Sequence, residues 1–350
     1  MALPELSERE RRVLEAVIQS YVETAEPAGS RTLSKRFGLG ISPATIRNTM
    51  SDLEEKGYLY HPHTSAGRIP TDSAYRLYVD SFIRSRKLPR ADAERISEHL
   101  TSQGNGASAI EAILRRAAQS LSIVSQELGV ALGPQLDNAT LQRLELIRVS
   151  NERLLLVLTL DVGAVRTIFV EVAGQVAESA VSEVMMVLNN RLAGLTLREI
   201  RLSLGDRLRD TAATAGATEL LNVFIQEGDT LFDLPAAGDE GGVVLGQASV
   251  LAEQPEFASG PGMRRLLELT ETRAHLAQLL RGRSSSPGIS ITIGNEHGDP
   301  RLDNFTIVTA EYRVGALSGV IGVIGPTRMP YDKVIALVQH TSLLVSDILH

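Results

Sequence analysis

The chain has 350 residues, 43% of them hydrophobic, and a formal net charge of −7 at pH 7, which predicts a soluble protein of two or three domains. It contains no cysteine, which excludes disulfides, thiolate metal sites and a cysteine nucleophile and is typical of a reducing cytosol. Because the chain is charged from Glu5 onward and its most apolar run, residues 154–160, is far too short to span a bilayer, we expect a cytoplasmic protein without a signal peptide or membrane contact.

Two helices are expected at the start of the chain. Ser7 and Glu10 have the spacing of a capping box, and the apolar residues after them form one stripe, which predicts a first helix over residues 8–24. After a Pro/Gly break, Ser30 is expected to cap a short second helix that ends at Phe37. A glycine-containing turn then leads to a third helix, which is the spacing of a helix-turn-helix motif.

The third helix has the features of a DNA-recognition helix. Ser42 is an N-cap residue, Pro43 suits the first helical position, and Gly57 ends the helix. One apolar stripe is expected to pack inward and consists of Ile46, Met50 and Leu53. The opposite face carries side-chain types that read base edges, namely Thr45, Arg47, Asn48 and Ser51.

A hairpin is expected after this helix. Residues 58–61 and 67–70 have strand character, they flank a turn-prone segment at 64–67, and one arm carries Arg68. A helix-turn-helix followed by such a hairpin indicates a winged helix that binds DNA, with the hairpin as its wing. In the alternative interpretation, the same helices form a protein-docking module that does not bind nucleic acid.

Charge is distributed unevenly along the chain. Residues 1–90 contain 14 Lys and Arg against 11 Asp and Glu, whereas the remaining residues contain 21 against 31. An acidic body would be repelled by phosphates, so we expect DNA to bind the N-terminal part alone. Because this positive surplus is small, we expect a dimer that reads two half-sites about one helical turn (~10 bp), or a multiple of it, apart.

A second region is expected beyond the hairpin. Asp72 is expected to cap a helix over residues 73–86, and the break at 87–90 marks a domain boundary. The segments that follow are predicted helices at residues 92–100 and 108–128, an antiparallel meander of strands at 141–149, 153–160 and 166–172, and a helical stretch at about 179–232.

The last third of the chain returns to a mixed pattern. It contains a predicted helix at residues 263–280, strands at 289–294, 305–312 and 317–325, and a final helix from Tyr331. An antiparallel sheet interrupted by a helical stretch indicates one domain inserted into another. Within that stretch, an apolar face belongs either to the core or to a subunit interface, and it consists of Val184, Val187, Leu188 and Leu192.

Other candidate sites are weaker. His61 and His63 lie two apart and could share a metal ion, but a wing histidine that is solvated or touches phosphate is favoured. Arg328 could bind an anion, although a structural salt bridge or a dimer contact is favoured. Three glycines read as a buried strand with close backbone packing, not as a dinucleotide motif: Gly319, Gly322 and Gly325. With no catalytic constellation, we expect neither enzyme activity nor a metal or cofactor.

Five distinctive segments span nearly the whole chain. They are residues 7–33 (SERERRVLEAVIQSYVETAEPAGSRTL), the third helix with its hairpin (ISPATIRNTMSDLEEKGYL and HTSAGRIPT), QPEF at 254–257, ITIGNEH at 291–297 and GVIGPTRMPY at 322–331. Together they resemble the HrcA family of bacterial heat-inducible transcription repressors. The Gly-Pro-Thr-Arg-Met core of the last segment is the most specific of these matches.

The resemblance implies an α+β multi-domain protein. Its parts would be a winged helix-turn-helix domain at residues 1–88, a discontinuous GAF-like α/β domain with an antiparallel sheet flanked by helices at 89–164 and 239–350, and an inserted α+β dimerisation domain at 165–238. The resemblance also implies that a homodimer binds an inverted-repeat operator in double-stranded DNA before chaperone operons and represses them until heat stress. The GroE chaperonin would keep the repressor in its active form.

The expected DNA-binding residues come from the second and third helices and the wing: Arg31, Ser42, Thr45, Arg47, Asn48, Ser51, His63, Thr64, Ser65 and Arg68. Two other functions remain open. One is a metabolite-responsive repressor that senses a small ligand through the GAF-like domain, and the other is a chaperonin-associated adaptor that does not bind DNA. Duplex binding that falls steeply with salt would argue against the adaptor.

Overall fold

The computed structural model describes residues 5–349 except 63–66, 82–87, 102–108, 162, 173, 175, 210, 212, 234–241, 284–287 and 316. Residues 64–66 of the expected wing tip and residues 82–86 of the expected fourth helix therefore lie outside the described residues. None of the helices in the described part is long and apolar enough to cross a membrane.

Three helices and a two-stranded sheet form the N-terminal unit. They are α1 (Glu8–Thr24), α2 (Ser30–Phe37), α3 (Pro43–Glu55) and the antiparallel strands β1 (Leu59–Tyr60) and β2 (Ile69–Pro70). The predicted bounds of α1 are confirmed, because Ser7 and Glu10 form the complete capping box. The prediction that Ser30 caps α2 was wrong. Gly29 occupies the N-cap position, where glycine is well tolerated, and Ser30 is the first helical residue.

Three further helices follow: α4 (Asp72–Ser81), which packs on α1 and belongs to the N-terminal unit, α5 (Arg90–Thr101) and α6 (Ala109–Ser125). The prediction that Asp72 caps α4 was wrong, because the Ala74 N–H donates to the hydroxyl of Thr71 (3.3 Å). The Asp72 carboxylate instead accepts hydrogen bonds from both the backbone N–H and the side-chain amide of Asn295, each 3.0 Å long. Asp72 thereby connects the N-terminal unit to the last third of the chain.

A five-stranded antiparallel sheet forms the centre of the C-terminal region. Its strands are β3 (Leu128–Leu132), β7 (Val243–Leu245), β8 (Ile289–Ile293), β9 (Phe305–Val314) and β10 (Leu317–Pro326), in the spatial order β7-β3-β10-β9-β8. The last three were predicted. The strands β3 and β7 were missed, and the predicted helix over 108–128 ends earlier, at Ser125. All five residues of β3 are buried, so this strand lacks the alternation that reveals a half-exposed strand.

Helices cover both faces of this sheet. Helix α6 and the last helix, α13 (Tyr331–Ile348), pack on one face, and α5 packs on them. The other face is covered by α10 (Ser249–Ala252), α11 (Gly260–Glu271) and α12 (Arg273–Arg281), which enclose a second apolar core. The helix predicted over 263–280 is therefore two helices. They separate at Thr272, whose backbone is not helical (φ −91°, ψ 56°).

The predicted close packing of the glycines in β10 is confirmed. A methyl group at Gly322 would overlap the carbonyl oxygen of Val308 and lie 2.8 Å from the Cα atom of Thr309 on β9. Because both neighbours are backbone atoms, no side-chain adjustment could make room.

A separate three-stranded antiparallel sheet is built from the segment between β3 and β7. It contains β4 (Leu141–Arg148), β5 (Arg153–Leu160) and β6 (Val165–Glu171), followed by α7 (Glu178–Leu192), α8 (Leu197–Arg209) and α9 (Ala215–Leu231). This confirms the predicted meander. Since β3 and β7 pair with each other, the segment is an insertion between neighbouring strands. The inserted domain was expected to begin at residue 165. A boundary there would separate β5 from β6, which are hydrogen-bonded along their length, so the connected unit begins with β4.

The apolar face of α7 lies mainly inside this inserted unit. Val184, Leu188 and Leu192 are fully buried within the single chain, and Val187 is half-buried. Of the two interpretations of this face, the structure therefore supports the core for the three buried residues, because a side chain without exposed surface cannot contact a second subunit.

Candidate nucleic-acid interface

Helix α3 is held by its cap and by its apolar stripe. The hydroxyl of Ser42 accepts a hydrogen bond from the backbone N–H of Thr45 (3.1 Å), and Pro43 stands in the first turn. The predicted stripe is confirmed, because its residues are buried against α1 and α2 together with Thr49: Ile46, Met50 and Leu53. The packing of this stripe fixes the rotation of α3 about its axis and therefore determines which side chains face outward.

The outward face of α3 presents exposed polar side chains, and two of the exposed residues of this helix are acids, Asp52 and Glu55. Arg47 and Asn48 are exposed, whereas Thr45 and Ser51 are half-buried. The Thr45 hydroxyl lies 2.9 Å from the Ser42 hydroxyl. Ser42 and Thr45, which are both expected DNA contacts, therefore already take part in the helix cap. Arg47 can donate two hydrogen bonds to a guanine, and Asn48 can pair with an adenine. The face thus carries the two side-chain types with the clearest base preference.

The hairpin after α3 is fixed at its base. The backbone of Arg68 forms a two-way bridge with Ala28 in the loop between α1 and α2, with N–O distances of 2.9 and 3.0 Å. The Thr71 hydroxyl donates to the Gly57 carbonyl (2.8 Å), and the Thr71 N–H donates to the Tyr58 carbonyl (3.0 Å). These contacts hold the base of the hairpin against the helices of the N-terminal unit. The contact between Ala28 and the hairpin could not be predicted from the sequence, because it is formed by backbone groups and Ala28 has no polar side chain.

Arg68 does not point freely into solvent. Its guanidinium forms an ion pair with Glu54 at the end of α3 (2.7 Å), and its side chain is only 18% exposed. This contact joins the base of the hairpin to the end of α3. The expected phosphate contact of Arg68 remains a prediction, as do those of His63, Thr64 and Ser65, which lie outside the described residues.

The basic residues around α3 fall into two groups. Three are paired with acids of the N-terminal unit: Arg36 with Glu23, Lys56 with Glu10 and Arg68 with Glu54. The hydrogen bond from Lys56 is the main reason that the pKa of Glu10 is lowered to about 2. On α2 and α3, whose residues are all described, three others are exposed and form no ion pair: Arg31, Lys35 and Arg47. These three are the cations of the two helices that a phosphate backbone could meet, and Lys35 was not among the predicted contacts.

Two of the weaker candidate sites have clear surroundings. Arg328 forms a salt bridge with Glu256, with N–O distances of 2.5 and 3.1 Å, so the structural interpretation holds for this residue. Among the described residues, no group of three or more His, Asp or Glu side chains could hold a metal ion. Because His63 lies outside the described residues, the interpretation of the His61 and His63 pair stays a prediction.

Comparisons with known proteins cover nearly the whole chain and point to one family. A family model described as the HrcA protein C-terminal domain matches residues 111–335. The heat-inducible transcription repressor HrcA of Chlorobium phaeobacteroides (strain BS1) is 40% identical over 347 residues, which cover 97% of each chain. The heat-inducible transcription repressor HrcA of Geobacter sulfurreducens is 37% identical over 350 residues and covers 99% of each chain.

The chain belongs to the HrcA family. The relatives compared above are named heat-inducible transcription repressors. A crystal structure of a hypothetical protein at 2.2 Å resolution is 22% identical and matches 99% of both chains with a TM-score of 0.64, which supports the arrangement of elements described above. As an HrcA-family member, the chain is a heat-inducible transcriptional repressor.

Proposed function

We propose that this HrcA-family chain is a winged-helix repressor that binds an inverted-repeat operator in double-stranded DNA before chaperone operons. The observation that carries the proposal is the exposed face of α3, where Arg47 and Asn48 project from a helix whose other side is buried. Because an ordinary surface helix can also begin with a proline and a serine cap, the proposal depends on the position of α3 after two packed helices and before a hairpin.

Within this proposal, the basic residues have different roles. Arg47 and Asn48 read base edges in the major groove, whereas Arg31 and Lys35 on α2 contact phosphates. The hairpin contacts the flanking backbone, and the Glu54–Arg68 ion pair sets its angle relative to α3. The body of the protein, with its acidic balance, faces away from the DNA.

We further propose that the inserted unit, from β4 to α9, forms the homodimer. Its buried helix face is not available, but the outer face of its sheet is. Ile147, Leu155 and Phe169 are neighbours across the three strands, and Ile147 and Phe169 are 48% and 58% exposed. Val165 on the same sheet is 48% exposed. An apolar row on an uncovered sheet face is a typical interaction surface.

The five-stranded unit then serves as a GAF-like scaffold between the DNA-binding unit and the dimer. The proposal includes heat control through the GroE chaperonin, which keeps the repressor folded and active. A domain has only about 5–15 kcal/mol of stability, so a modest temperature rise can lower the active fraction. The supporting observation is the family membership, since the relatives are named heat-inducible repressors.

The test begins with a duplex selected from random sequence by the full-length protein. We expect an inverted repeat to be selected, and affinity measured by fluorescence anisotropy to fall with salt and to rise when GroE is present. Arg47→Ala should weaken binding to the selected repeat by about 1–3 kcal/mol, which is the usual value of a bidentate base contact, and should relax the base preference at one position.

Arg198→Ala is the matched control, because it removes the same charge from an exposed position on α8, in the inserted unit. Its binding should equal that of the unmodified protein. Equal losses for Arg47→Ala on the selected repeat and on scrambled DNA would contradict the base-reading role. Failure to select any repeat, with a folded dimer present, would contradict the proposed function as a whole.

A further inference from the structure

Besides the hydrogen bonds between Asp72 and Asn295, two arginine clusters join the N-terminal unit to the five-stranded unit. The first is the Arg76 cluster, formed by Arg76 of α4, Glu296 and the carbonyl of Ile291. The guanidinium of Arg76 donates to both carboxylate oxygens of Glu296 (2.7 and 2.6 Å) and to the Ile291 carbonyl (2.8 Å). Glu296 is itself fixed, because it also accepts a hydrogen bond from the backbone N–H of Ile293 (2.9 Å). The cluster is therefore a planar, two-pronged contact with a defined angle.

The second place is the Arg328 cluster, formed by Arg328, Glu256 and the carbonyl of Val22. Arg328 follows β10, and while Glu256 holds two of its nitrogens, the third donates to the Val22 carbonyl near the end of α1 (2.7 Å). That carbonyl belongs to the last turn of the helix, where carbonyl groups lack helical partners. A cation at this end also interacts favourably with the helix dipole.

An open cleft with a volume of about 500 Å³ lies beside the Arg328 cluster and the contact between Asp72 and Asn295. Its walls come from both units and include Tyr21, Asp72, Asn295 and Arg328. Beside the cleft, the rings of Tyr75 and Tyr331 are in contact at 5.8 Å. An aromatic contact contributes burial but permits rotation, whereas two separated polar clusters on different elements fix both the position and the angle of one unit relative to the other.

We infer that Arg76, Glu296 and Arg328 are positioning residues that set the angle of the DNA-binding unit and hence the half-site spacing that the dimer accepts. The inference rests on the proposed function. In a dimer, the distance between the two α3 helices depends on how each N-terminal unit is held on its own body, and operator spacing must match that distance. The residues act without touching DNA.

The test measures spacing selectivity. Selectivity is the affinity for the selected repeat divided by the affinity for the same repeat with its spacer lengthened by about 5 bp, which turns one half-site to the opposite side of the duplex. Arg76→Glu places like charges opposite each other at Glu296, so we expect selectivity to fall about tenfold or more. Affinity for a duplex with a single half-site should change by less than about twofold, because the face of α3 is intact.

The double variant Arg76→Glu/Glu296→Arg restores opposite charges and should recover most of the selectivity. Arg90→Ala is the control, because it removes an exposed ion pair with Glu94 within the first turns of α5. Circular dichroism and thermal unfolding verify that each variant is folded. Unchanged selectivity in Arg76→Glu, or an equal loss on the single half-site, would overturn the inference while the proposed function stands. Absence of any repeat preference in the unmodified protein would overturn both.

Discussion

Gly67 is the residue at which a single methyl group should displace the hairpin from the N-terminal unit. A Cβ atom there would overlap the carbonyl group of Ala28 and lie 2.7 Å from the carbonyl carbon of Pro27, whereas real Cβ contacts are essentially never shorter than 3.0 Å. All of these neighbours are backbone atoms. In Gly67→Ala, the hairpin must therefore move away from the loop that holds it, and the two hydrogen bonds between Ala28 and Arg68 are the first to be lost.

The size of the effect follows from those contacts. Overpacking at a rigid site typically costs about 1–3 kcal/mol, and two lost backbone hydrogen bonds of about 0.5–1.5 kcal/mol each give a similar value. If the hairpin contacts DNA, most of this free energy should appear as weaker binding. A loss of about 1.4 kcal/mol corresponds to a tenfold lower affinity, so we expect Gly67→Ala to bind the selected repeat about tenfold or more weakly.

Fluorescence anisotropy measures the affinity, and urea unfolding measures stability in parallel. Gly260→Ala is the matched control, because the added methyl group at the start of α11 meets nothing within 4 Å. This variant should bind DNA normally. If Gly67→Ala kept both the affinity and the stability of the unmodified protein, the described seating of the hairpin would be refuted. If it lost stability but kept full affinity, the hairpin would not contribute to DNA binding.

Two further predictions concern pH and assembly. The pKa of Glu10 is lowered to about 2, first by the hydrogen bond from Lys56, so its contribution to stability is complete above the unfolded pKa of about 4.3 and is lost as pH falls towards 2. Glu10→Gln should therefore reduce the free energy of unfolding, measured in urea titrations, by about 1–2 kcal/mol at pH 7, allowing for solvent screening. The difference between the two proteins should vanish near pH 2. A difference that stays constant with pH would contradict the assigned role of the Glu10 carboxylate. Phe169→Glu should shift the dimer to monomer in sedimentation velocity, whereas Leu202→Glu, at a 78% exposed position on α8, should not. A fully dimeric Phe169→Glu protein would exclude the outer sheet face as the interface.

Elements whose ends are set by their own residues could be predicted from local signals. The bounds of α1 and β5 agree with the prediction residue by residue, because a capping box begins the one and a polar turn precedes the other. The inward stripe of α3 was also predictable, since its period depends only on helix geometry. The strands β3 and β7 were missed because they are short and buried, and their pairing depends on segments far away in the chain.

The exposed part of the candidate site was predictable, but its electrostatic partners were not. Arg47 and Asn48 follow from helical spacing alone. In contrast, no local pattern indicates that Arg68 meets Glu54, because the hairpin must first fold back against the end of α3. The sorting of basic residues into paired and available cations therefore requires the tertiary structure, and it changes the expected contacts by adding Lys35.

The contacts between the two units give a role to the segments that follow β8 and β10. Glu296 follows β8 and Arg328 follows β10, so both lie beyond the ends of the strands and contribute nothing to the hydrogen bonds of the sheet. Each instead supplies one partner of a contact with the N-terminal unit. A repressor whose DNA-binding unit only had to be tethered would need neither contact, because a flexible linker would bring the recognition helix to its half-site. A repressor that must hold two α3 helices at one separation needs several separated contacts, since a single contact leaves a pivot. Under the proposed function, the positions of these two residues therefore favour a rigidly held N-terminal unit over a tethered one, and the spacing experiment distinguishes the two arrangements.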